Sequence, residues 1–147
     1  LGSLLAKNDI KVSFVESITG GLLSSLLVKN PGISKYFIGS DIVYGNQAKS
    51  ILLNDNDIDF ENWEELCVNL THSSLEKYKT DICLTILGEA GPLSSSKYSV
   101  GTIFICISNG DKTVITDHKM NGSREEILQR SANKAQWELI KFIKNLY

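Results

Sequence analysis

From residue 10 to residue 15 the chain alternates apolar and polar positions (IKVSFV) and is rich in β-branched and aromatic side chains, which predicts a strand. Thr19-Gly20-Gly21 breaks that alternation, and Leu22, Leu23, Leu26 and Leu27 then recur at helical spacing with Thr19 placed as the N-cap. This helix should stop near Asn30, because Pro31 pushes the residue before it out of the α region. Upstream, residues 1–8 carry a short helical pattern. A second strand pattern covers residues 36–44 (YFIGSDIVY) with a glycine interruption, Asn46 opens a helix over QAKSILL, and residues 54–59 form a polar turn.

A longer helix is predicted over residues 61–78, with Trp63, Leu66, Cys67 and Leu70 on its buried stripe. Three strands follow at residues 82–87, 100–108 and 113–119, and Asn109-Gly110-Asp111 joins the last two as an antiparallel hairpin. Ser123-Arg124-Glu125-Glu126 has the form of a capping box and starts a final helix. The apolar stripe of that helix (Leu128, Ala132, Ala135, Leu139, Phe142, Leu146) steps by four and three, so one face packs inward. Residues 92–99 are the one loop weak enough to be mobile. Helices alternating with early strands, then a hairpin and a closing helix, predict an α/β protein: a three-layer α/β/α sandwich with a mixed sheet of about five strands. There is no repeat and no internal boundary, so a single domain over residues 1–147 is expected.

Composition narrows the function classes. A net charge of −2 over 147 residues gives no long-range attraction for polyanions, so no nucleic-acid partner is expected, although a local cluster could still grip one phosphate. Cys67, Cys83 and Cys106 are odd in number, widely spaced and set in apolar runs, which predicts buried thiols in a reducing, cytoplasmic protein. His72 and His118 are isolated, so no metal centre is expected. A membrane span reads as a run of about 18 or more apolar residues, and no such run occurs. The opening LGSLLAKNDI has neither the charged start nor the cleavage site of a signal peptide and is read as mature sequence.

In open α/β sheets ligands bind beyond the carboxyl ends of the strands, and four segments fall there. Glu16-Ser17-Ile18-Thr19-Gly20-Gly21 puts a serine at the first strand–helix junction, with two glycines and a helix start whose N–H groups suit an oxyanion or a phosphate. Tyr44-Gly45-Asn46-Gln47-Ala48-Lys49 follows the second strand. A serine hydroxyl needs a base, and with no histidine nearby Lys49 or Tyr44 is the available group. Leu87-Gly88-Glu89-Ala90-Gly91-Pro92 allows a tight turn after the third strand, and Arg124 in the last helix could fork onto a phosphate. Each segment alone also reads as an ordinary turn, cap or surface charge.

Together and in this order, ESITGG, YGNQAK, GEAGP, VGT and GSREEI resemble the CinA C-terminal domain family, the nicotinamide-nucleotide amidohydrolases, over about residues 4–146. The resemblance implies a three-layer sandwich that hydrolyses the carboxamide of nicotinamide mononucleotide to nicotinate mononucleotide and ammonia, without a cofactor or metal. It implies Ser17 as nucleophile, Lys49 and Tyr44 as its catalytic partners, and Arg124 as the family's C-terminal arginine. Thr19, Gly20, Gly21, Asn46, Gly88 and Gly91 complete the expected substrate-binding set, and a homo-oligomer is expected. The chain departs from the family pattern at four places. Leu87 stands where Ser or Thr is usual, Gly45 replaces a serine, Ser123 replaces Asp or Asn, and residues 91–102 lack the usual glycine pair and proline. A relative that binds the nucleotide but has lost the reaction is the alternative.

Overall fold

The computed structural model describes residues 1–147. The alternating stretch after α1 (Gly2–Asn8) becomes β1 (Val12–Glu16), and the leucine-rich stretch becomes α2 (Leu22–Val28). A single 3-10 turn (Ile33–Lys35) leads into β2 (Phe37–Ile42), followed by α3 (Asn46–Leu53) and α4 (Trp63–Tyr78). Then come β3 (Ile82–Gly88), β4 (Thr102–Ser108), β5 (Thr113–Lys119) and α5 (Arg124–Lys144). The five strands form one sheet in the order β2-β1-β3-β4-β5. β1 runs parallel to β2 and β3, while β3–β4 and β4–β5 are antiparallel. The expected mixed α/β/α sandwich is the fold observed.

Strand alternation sorts the core into two layers. Val12 and Phe14 of β1, Ile82, Leu84 and Ile86 of β3, and Ile103, Ile105 and Ile107 of β4 point to α1, α2 and α5. Val15, Cys83, Leu87 and Cys106 point the other way, onto Trp63, Leu66, Cys67 and Leu70 of α4. Burying one such aliphatic side chain stabilises by roughly 1.5–3 kcal/mol, so these faces fix the register. All three cysteines are free and buried. Burial raises each thiol, with Cys83 pushed up to about 11, so none is a thiolate nucleophile at neutral pH.

Several boundaries differ from expectation for local reasons. Gly21, at φ 104, and not Thr19 caps α2, which ends at Val28. Asn46 is the first helical residue of α3 behind the Gly45 cap. Asn62 caps α4 by accepting from the Glu65 N–H at 3.2 Å, so that helix begins at Trp63. β4 starts at Thr102 because Gly101 (φ 89) passes Met120 so closely that a Cβ would lie 1.9 Å from its carbonyl oxygen. The stripe of α5 is broader than predicted, since Ile127, Ile143 and the polar Ser131 and Glu138 are also buried. The 92–99 loop, expected to be mobile, is tied down. The Lys97 N–H donates to Glu61 Oε2 at 3.0 Å, Ser95 Oγ to Glu89 at 3.1 Å, and the Tyr98 ring lies 4.2 Å from that of Trp63. No helix is long and apolar enough to cross a membrane.

Candidate active site

β1 has β2 on one side and β3 on the other, so the chain reverses its direction of progress across the sheet at the carboxyl end of β1. Helices leave on opposite faces there and the layers part. A cavity of about 410 Å³ occupies this point. Ser17 and Ile18 reach it from β1, Tyr44, Asn46 and Lys49 from the start of α3, Gly88 to Gly91 from the end of β3, and Arg124 from α5. Phe60, Trp63, Leu66 and Leu87 supply an apolar wall. Seven of the expected site residues thus converge: Ser17, Tyr44, Asn46, Lys49, Gly88, Gly91 and Arg124.

Ser17 is held by its backbone, its N–H donating to Ile86 O on β3 at 3.1 Å and its carbonyl accepting from Gly20 at 3.1 Å. Lys49 is only 6% exposed. Its Nζ donates to the Tyr44 carbonyl at 3.3 Å, and no carboxylate lies within ion-pair distance of it. Burial therefore lowers the Lys49 ammonium from its ordinary value, since no counter-ion compensates for the lost hydration. Ser17 and Lys49 line one cavity without a direct hydrogen bond between them.

Tyr44 differs from expectation in how it serves the lysine. Its carbonyl, and not its phenol, contacts Lys49. The phenol oxygen accepts from Arg124 Nη2 at 2.7 Å, while Nη1 of the same guanidinium donates to Gly91 O at 2.5 Å. Arg124 thus straps the turn after β3 to the turn after β2 and keeps its charge at the cavity mouth.

Thr19, Gly20 and Gly21 do not line the cavity, and the anion expected at this helix start is internal. The fully buried Glu16 carboxylate accepts from Thr19 Oγ1 at 2.6 Å, the Gly21 N–H at 3.1 Å, the Leu23 N–H at 3.0 Å and the Ser24 N–H at 2.9 Å. The Gly21, Leu23 and Ser24 N–H groups of this helix start are therefore already taken. By contrast, the Ile18 and Thr19 N–H groups have no acceptor in the chain, and of these two residues only Ile18 lines the cavity.

Glu89 was not singled out from sequence, yet its carboxylate is buried on the cavity wall. The available signal was an acid between two glycines at the end of an apolar strand. Trp63 and Leu66 were read only as core, because a helical stripe does not reveal that its first turn overhangs a crevice.

The family model described as CinA C-terminal domain matches residues 1–143. The chain belongs to the CinA C-terminal domain family. Among its CinA relatives, a CinA-like protein of Thermotoga neapolitana is 35% identical over 146 residues, covering 96% of this chain and 36% of its own length. A CinA-like protein of Petrotoga mobilis is 32% identical over 152 residues, covering 100% and 38%. The chain therefore spans little more than a third of the length of these relatives. Solved CinA superfamily structures share the fold. The protein from Enterobacter cloacae superposes with a TM-score of 0.86 at 21% identity, over 96% of this chain and 86% of that one. The Klebsiella pneumoniae protein gives 0.87 at 19% identity, over 97% and 92%.

Proposed function

We propose that this domain hydrolyses the carboxamide of nicotinamide mononucleotide, giving nicotinate mononucleotide and ammonia. The observation that carries the reading is that Ser17 and a Lys49 buried without a counter-ion line the same cavity. A lysine is a base near neutral pH only when its charged form is disfavoured, which is the effect of burial here.

In the first step Ser17 Oγ bonds to the carboxamide carbon and its proton passes to neutral Lys49, while the carbonyl electron pair moves onto oxygen. The Ile18 N–H is the oxyanion donor, since the Ser17 N–H is spent on Ile86. Collapse breaks the C–N bond, and the nitrogen takes the proton from Lys49 and departs as ammonia. Water then adds to the Ser17 ester and gives a proton to Lys49. That proton returns to Ser17 Oγ as the C–O bond breaks, leaving the free acid. Arg124, fixed by Gly91 and Tyr44, offers its charge to the phosphate.

Ser17→Ala should lower ammonia release from nicotinamide mononucleotide by about 10⁴- to 10⁶-fold while melting like the wild type. Lys49→Arg keeps the charge but cannot accept a proton near neutrality, and should be comparably impaired. Wild-type turnover in the serine variant would refute the nucleophile.

Leu87 favours a second reading. It is 2% exposed and lies on the cavity wall where a hydroxyl is usual in the family. On this reading the domain binds the nucleotide without turning it over. Calorimetric binding with no ammonia release from the wild type would select it.

A further inference from the structure

Three glutamates of this chain are buried, Glu16, Glu89 and Glu138, and they are served very differently. Burying a carboxylate is costly unless hydrogen bonds or a cation replace its water. Both oxygens of Glu16 are occupied by donors from Thr19, Gly21, Leu23 and Ser24. Glu138 sits between Lys134 at 3.0 Å and Lys141 at 3.1 Å. Glu89 is 6% exposed and receives only Ser95, through the N–H at 3.3 Å and the hydroxyl at 3.1 Å. No lysine, arginine or histidine lies within ion-pair distance of it. Lys49, the buried cation of the same cavity, bonds to the Tyr44 carbonyl instead. An under-served carboxylate on a cavity wall is a place where a ligand completes the set.

We propose that Glu89, which lines the same cavity as the aromatic side chains of Phe60 and Trp63, selects a substrate ring that carries a positive charge over a neutral carboxamide of the same shape. The identity of that ring, a quaternary pyridinium, rests on the amidohydrolase reading. Such a nucleotide is a zwitterion. The cavity offers a carboxylate and aromatic side chains for the cation, and Arg124 for the phosphate. A neutral ring gains nothing from the Glu89 charge, so the discrimination comes from attraction for the cation.

The test measures binding and needs no turnover. In the Ser17→Ala protein, nicotinamide mononucleotide is titrated beside benzamide ribotide, in which a neutral phenyl ring replaces the pyridinium. Glu89→Gln keeps the shape and an acceptor for Ser95. It should weaken the pyridinium ligand about tenfold or more and leave the neutral ligand within about twofold. Ser95→Ala should move both ligands together or neither, which separates charge recognition from anchoring of the loop. Equal weakening of the two ligands by Glu89→Gln overturns the proposal, as does no weakening of either. Unchanged pyridinium affinity, with ammonia release lost when Ser17 is restored, would assign Glu89 to the chemistry and also overturn it. If the wild type binds the pyridinium selectively yet releases no ammonia, the amidohydrolase reading fails and the role of Glu89 stands.

Discussion

Lys49 is a buried cation held at a cost to stability. Its folded-state value lies below the ordinary 10.5 because burial disfavours the ammonium. Between that lowered value and 10.5 the unfolded chain binds more protons, so stability rises with pH across the window. Below the lowered value the full cost of a buried charge is present. Lys49→Met keeps the stem volume and removes the charge, and should stabilise the protein by about 1 kcal/mol at neutral pH, raising Tm by about 2–4 °C. The same variant should lose turnover, and in the wild type turnover should climb with pH as Lys49 deprotonates. Calorimetry at neutral pH checks the first statement, and a lower Tm for the methionine variant would contradict it. The lysine was legible in the sequence through its place after YGNQA, but its lack of a counter-ion was not, because partners come from other elements.

The β1–α2 junction makes a similar point at the level of an element. A serine, a glycine pair and a helix start suggested a ligand-anion site, yet the preceding Glu16 folds back and satisfies that helix start from within. The turn is thereby stiff, and Ser17 is presented from it with its backbone fixed to Ile86. Glu16→Gln must turn an amide NH₂ toward N–H donors whichever way it is flipped. It should cost about 2–3 kcal/mol, against about 1 kcal/mol for Thr19→Ala, which removes a single bond. Urea midpoints measure both, and a glutamine variant as stable as the wild type would refute the clamp. Periodicity placed the strands and the helices α2, α4 and α5, because these bury an apolar face in the core. It misjudged ends where the cause was a contact distant in sequence, as at Gly101 against Met120. The strapping of Tyr44 by Arg124, 80 residues apart, was likewise beyond local pattern.

For the whole molecule, the sandwich was legible because alternation and helical stripes agree with a two-faced core, whereas its polar seam was not. α5 was predicted as an apolar stripe, but the stripe includes Glu138 against β5. Burial raises the Glu138 carboxyl, but hydrogen bonds and charge from Lys134 and Lys141 outweigh this and hold it below 4.5. His118 on β5 lies 3.6 Å from the same carboxylate. Burial first, then the charges of Lys134 and Lys141, lower it beneath 6.5, against the opposing pull of Glu138 and Asp117. The signs agree. For each group the unfolded chain binds more protons between the two values, so stability falls as pH drops. The histidine contribution is lost from 6.5 downward and the glutamate contribution from 4.5 downward, each through its lowered folded value. The lysines are part-exposed, at 30% and 52%, so the net worth of the carboxylate is discounted to about 1 kcal/mol. Glu138→Gln should therefore lower the urea midpoint at pH 7 and flatten its decline below 4.5, while deepening the histidine step, because the charge that holds His118 up is removed. A parallel decline in both proteins below 4.5 would show that the seam is not what acid dissolves first.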